Sequence, residues 1–123
     1  VWSRGDIQRV RLEIEAVGDM AWVVVSDPVP AGATLLGSGL GRDSALATRG
    51  EEREGRAWPA FEERAPEAWR SYFEWLPRGR HVVEYTLRLN ASGRFGLPPT
   101  RIEAMYAPET FGELPNAALE VMP

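Results

Sequence analysis

"HVVEYTLRLN", His81 to Asn90, alternates apolar and polar side chains more cleanly than any other stretch, with Val83, Tyr85, Leu87 and Leu89 on one parity and Glu84, Thr86 and Arg88 on the other. A period of two marks a half-buried β-strand, because successive Cβ atoms point to opposite faces of a pleated sheet. "VRLEIEA", Val10 to Ala16, repeats the pattern, with Val10, Leu12, Ile14 and Ala16 facing inward. "MAWVVVSD", Met20 to Asp27, is β-branched and nearly continuous, so it reads as a well-covered strand that stops at the turn formers "DPVPAG".

The rest of the chain follows suit. Glu67 to Trp75 fits either a short helix or a strand with Trp69, Ser71, Phe73 and Trp75 on one face; its aromatic content and the "LPRG" turn after it favour strand. "ASG" then turns the His81–Asn90 strand as a hairpin, and short strands follow at Thr100 to Tyr106 and Ala117 to Met122. "APETFGELPN" is read as the loop between those two, and "ATRGEEREGRA" as part of a long surface loop after the short apolar piece Thr34 to Leu36. Short strands separated by Pro and Gly, with at most one short helix, predict an all-β fold, an antiparallel β-sandwich. Residues 1–123 are expected to form a single domain, since 123 residues can bury about two thirds of the surface that the unfolded chain exposes.

Composition narrows the function. The chain is 44% apolar and 26% charged with net charge -4, the balance of an ordinary globular protein. It lacks the basic footprint that phosphate neutralisation demands, so nucleic acid is not an expected ligand. There is no cysteine, which excludes a disulfide, a thiol nucleophile and a thiolate metal site. All 14 basic residues are arginine, so no chemistry can use a lysine amine. The opening "VWSRGD" has no initiator methionine, charged n-region or apolar h-region, and the chain is expected to be a fragment of something longer.

Constellations of catalytic residues fail one by one. "GSGLGRDS", Gly37 to Ser44, has Arg42 where a dinucleotide fingerprint needs its third glycine, and it lacks the Gly-Lys-Ser/Thr of a phosphate loop. Ser38 has Leu36 and Leu40 where a nucleophile elbow has glycines. His81 is the only histidine; it starts a strand beside Arg80 and is expected on the outward side as a solvated imidazole, which leaves no triad and no metal site. The pairs Glu51-Glu52 and Glu62-Glu63 point to opposite faces of an extended chain and read as solvated charge. "NAS", Asn90 to Ser92, fits a glycosylation sequon, yet the turn needs those residue types for its backbone. Trp2 and Trp58 fall in irregular segments and are candidates to face a neighbouring domain.

"IEAMYAPE", Ile102 to Glu109, holds the remaining anomaly. Ile102, Ala104 and Tyr106 share one face, which puts Met105 on the other with Arg101 and Glu103. A methionine on a polar face is an exposed accident, a residue returned to the core by a bulge, or a contact residue whose flexible thioether adapts to a partner. The Ala-Pro that follows would stiffen the segment presenting it.

Four blocks, "DPVPAGATLLGSGLGRDS", "YFEWLPRGRHVVEYTLRLNASGRF", "LPPTRIEAMYAPE" and "FGELPNA", resemble the C-terminal domain of bacterial alpha-2-macroglobulins, and the likeness runs from about Val10 to Val121. The resemblance implies a macroglobulin-type sandwich, similar in fold to the receptor-binding domain of the animal proteins, closing a much larger periplasmic peptidase trap whose parent chain is lipid-anchored to the inner membrane. In such traps a bait segment is cut and a thioester in a separate domain captures the attacker. By resemblance this domain is a non-enzymatic module without a cofactor or direct membrane contact. It would pack on the thioester domain and other domains of the same chain, and would meet target peptidases only through the full-length protein. Met105 and Tyr106 would shield the thioester, with Ala107, Pro108 and Glu109 as an interdomain loop. The alternative is an independent cell-envelope or adhesion sandwich that uses "GSGLGRDS" as its ligand loop.

Overall fold

A computed structural model describes residues 1–36, 53–54 and 58–123, all in strands, turns and connections. The strands are β1 (Trp2–Ser3), β2 (Ile7–Ala16), β3 (Met20–Pro28), β4 (Thr34–Leu35), β5 (Arg53–Glu54), β6 (Trp58–Arg64), β7 (Ala68–Leu76), β8 (Gly79–Arg88), β9 (Gly93–Phe95), β10 (Thr100–Ala104), β11 (Ala107–Leu114) and β12 (Leu119–Met122). The "GSGLGRDS" loop, Glu51-Glu52 and most of the polar run around them lie outside the described residues.

The fold is an all-β sandwich. One sheet has the order β11-β10-β3-β7-β6, a second has β2-β8-β4 with β5 also pairing β8, and a small third has β1-β12-β9. Among the described residues only β1 and β12 pair in parallel. The alternating strands supply the core: Val23 and Val25 of β3, Trp69 and Phe73 of β7, and Val83, Tyr85 and Leu87 of β8 pack together with Ile14 and Ala16 of β2. Trp69 and Tyr85 stack with ring centres 4.7 Å apart, which joins the two large sheets through their largest buried side chains. The ambiguous segment therefore resolves to strand, β7 over Ala68–Leu76, as its aromatic content favours.

Several expectations need correction. His81 is buried, because it shares the odd parity of Val83 and Tyr85 and faces inward with them; Nε2 donates to the Pro77 carbonyl at 2.7 Å. Glu84 and Thr86 are buried too, since β8 lies between β2 and β4/β5, and Arg11 reaches across to within 3.5 Å of Glu84. Trp75 leaves the face of Trp69 and Phe73 and is half exposed, while Leu76 turns inward. The turn after β8 is not a hairpin, because β9 joins a different sheet. Trp2 and Trp58 sit in strands, and Trp2 packs against the core. Ala107, Pro108 and Glu109 are the first residues of β11, not a loop; Pro108 is tolerated because β11 is an edge strand, which can spare a ladder N–H.

Candidate functional site

The segment Ile102–Glu109 folds as a β-hairpin. Ala104 pairs with Ala107, so Met105 and Tyr106 are the two residues of its turn. Neither residue has the positive φ for which hairpin turns select Asn, Asp or Gly, so the backbone here accepts ordinary side chains. The positions carry large apolar groups, Met105 at 41% exposure and Tyr106, the more solvated of the two, at 81%. The register then slips between Glu103 and Ala104, which face Phe111 and Ala107, so β11 bulges by three residues before regular pairing resumes. Met105 is neither returned to the core by this bulge nor flanked by strand neighbours on both sides.

A second residue shapes the turn, and no sequence signal singled it out. Trp22 of β3 adopts φ 53°, the one left-handed non-glycine residue among the described residues. Bulky side chains rarely enter that region, so the sequence reads simply as strand there. The Trp22 carbonyl accepts the Met105 N–H at 2.8 Å and extends the β3–β10 ladder by one bond. On either side of Trp22 the facing of β3 changes: Val23 is buried and Ala21 exposed, whereas Met20 packs on the core. Ala21 pairs with Trp75 and Met20 with Leu76, so β7 follows the same step and Trp75 turns out. Trp22, Trp75, Met105 and Tyr106 thus form an exposed apolar end to the five-stranded sheet.

Further along the same outer face the side chains are charged and paired. Arg101 bonds Glu103 at 2.8 Å and also Glu113, while its guanidinium lies 4.1 Å above the Phe111 ring. Arg70 bonds Glu63 at 2.7 Å. The carboxylates hold both guanidinium groups firmly protonated, Glu103 acting most strongly on Arg101 and Glu63 on Arg70. Between these pairs lies a cavity of about 370 Å³, lined by Val24, Ser26, Tyr72 and Met105 among others. Its arginines are paired with carboxylates, so the face offers contact area and charge pairing. Among the described residues no cluster of three His, Asp or Glu side chains could hold a metal ion.

The comparisons with known proteins agree with this architecture. A family model described as the bacterial alpha-2-macroglobulin MG10 domain matches residues 1–109. Among solved structures, native alpha-2-macroglobulin from Escherichia coli, spanning domain MG7 to the C-terminus, superposes with a TM-score of 0.78 at 21% identity, covering 99% of this chain and 20% of that one. Salmonella alpha-2-macroglobulin reacted with methylamine gives 0.79 at 20% identity over 99% of this chain and 8% of that one. The trypsin-activated Escherichia coli protein gives 0.78 at 20% identity over 98% and 9%. A Dictyostelium discoideum protein, circularly permutated Ras protein 2, is 34% identical over 59 residues, which is 48% of this chain but 2% of that protein. The chain thus spans a small part of each of these relatives. With the sandwich in place and the family model covering nearly all of its strands, the chain belongs to the bacterial alpha-2-macroglobulin MG10 domain family.

Proposed function

We propose that this MG10 domain is a non-catalytic interaction module of a broad-range peptidase inhibitor, that it packs on the thioester domain of a longer chain, and that Met105 and Tyr106 cover the thioester until the bait is cut. The carrying observation is the Met-Tyr pair in a two-residue hairpin turn. Both side chains are exposed there, beside the exposed Trp22 and Trp75, and a contact requirement accounts for large apolar groups held in solvent. The surrounding geometry fits a rigid lid: β10 is held between β3 and β11, and the Trp22 carbonyl anchors the turn. Similar TM-scores to relatives described as native, methylamine-reacted and trypsin-activated fit a domain that moves as a unit. The reading places the domain in the periplasm, within a parent chain anchored by lipid to the inner membrane, and leaves the domain itself without membrane contact.

The test is the rate at which a small amine consumes the thioester of the full-length protein. Truncating Met105 or Tyr106 to alanine removes roughly 1–3 kcal/mol of apolar burial between domains. That raises the population of the open state, and with it the amine rate, by about tenfold or more if opening is a two-state equilibrium. Rates equal to wild type in both variants would refute the cover.

A further inference from the structure

We propose that Trp22 is the positioning residue of the Met105–Tyr106 tip, acting through its left-handed backbone and not through its indole. As a reading of what the tip is for, this rests on the covering role above; as a statement of how the tip is held, it rests on geometry alone. Three observations converge on it. Trp22 is the single non-glycine residue with positive φ among the described residues, and a bulky aromatic is held there against its steric preference. Backbone outliers of this kind persist only where the surroundings over-determine them, and they cluster at functional sites. Its carbonyl is the acceptor for Met105 N–H at 2.8 Å, one residue beyond the last Cα pair of the β3–β10 ladder, Ala104 with Val23.

The left-handed residue also accounts for the apolar surroundings of the tip. An unbroken pleat would give Ala21 the inward parity of Val23 and leave Met20 outside. Instead Ala21 is exposed and Met20 packs on the core, and the paired residues of β7 do the same, with Trp75 out and Leu76 in. One residue's φ therefore determines where β10's ladder ends and which large side chains of β3 and β7 stand beside Met105.

Four substitutions separate backbone from side chain. Glycine and asparagine tolerate the left-handed region, whereas alanine resists it and β-branched valine resists it more. Hydrogen exchange of the Met105 amide, read with the Ile102 amide as an internal reference, reports the bond to the Trp22 carbonyl. Trp22→Gly and Trp22→Asn should keep Met105 protection within about threefold of wild type. Trp22→Ala and Trp22→Val should lose tenfold or more at Met105 while Ile102 stays protected. The two tolerant variants should also melt above Trp22→Ala. If the four sort by size or apolarity instead, so that Gly and Asn lose protection and Val keeps it, the indole does the positioning and the proposal falls. Uniform protection across all four overturns it equally. Amine consumption in the full-length protein is a separate readout: variants that sort as expected in exchange but leave the amine rate unchanged would uphold the positioning and refute the cover.

Discussion

Asp27 sits 6% exposed between the two large sheets, where it accepts hydrogen bonds from the hydroxyls of Tyr85 and Thr100. Asn116 extends the chain of bonds by donating to Thr100 Oγ1 and to the Pro98 carbonyl, both at 3.0 Å. A buried carboxylate is tolerated because each oxygen has a donor. Tyr85 registers the effect: burial first, then the neighbouring Asp27 charge and the bond to it, push its hydroxyl well above the ordinary value. Because its folded-state pKa lies above the unfolded value of about 10, this stabilisation is complete below pH 10 and is lost as pH rises beyond it. The chain should therefore unfold on the alkaline side of about pH 10, with no lysine titrating there to obscure the transition. Phenolate absorbance belonging to Tyr85, obtained by difference from Tyr85→Phe, should appear together with loss of near-ultraviolet dichroism. A Tyr85 phenolate in a chain still folded by that signal would contradict the network. Tyr85→Phe itself leaves a buried carboxylate short of a donor and should cost about 1–3 kcal/mol at neutral pH.

Alternation made β2, β8 and β10 legible at the element scale, a β-branched run did the same for β3, and the reading failed where a strand's pattern is interrupted. β11 reads poorly because Pro108 and a three-residue bulge break the period, its inward position at Gly112 carries no side chain, and Phe111 faces the guanidinium of Arg101 on the outer side. β6 is disguised similarly, with Pro59 at a register shift on the opposite edge of the sheet. The candidate site was half legible: Met105 and Tyr106 stood out as residue types, but Trp22 did not, because a left-handed tryptophan leaves no composition signal. Two substitutions test how the hairpin is built. A Cβ at Gly112 would lie 3.2 Å from Ile102 Cγ2, so Gly112→Val should crowd the Ile102 side chain and destabilise by about 1–3 kcal/mol in denaturant unfolding. Met105→Ala should cost no more than about 1 kcal/mol, against roughly 2–5 for a core methionine, since its side chain is substantially solvated. A loss of core size at Met105 would mean that it packs inward and covers nothing.

For the molecule as a whole, Trp22, Trp75, Met105 and Tyr106 gather exposed apolar side chains at one end of the five-stranded sheet. The sole histidine is buried with Nε2 committed to Pro77, cysteine and lysine are absent, and the arginines nearest Met105 are held by carboxylates. Covalent capture requires an electrophile or an activated nucleophile, and the described residues bring none together. The 123-residue chain by itself should then neither inhibit a peptidase nor become linked to one. Incubation with peptidases of differing specificity, followed by denaturing electrophoresis and residual activity against a peptide substrate, is the measurement. Full peptidase activity and no species of added mass are expected, with any cleavage of the chain proceeding as in an ordinary substrate. A stoichiometric complex that survives denaturation would place reactive chemistry within this domain and would overturn its assignment as the module that covers chemistry located elsewhere.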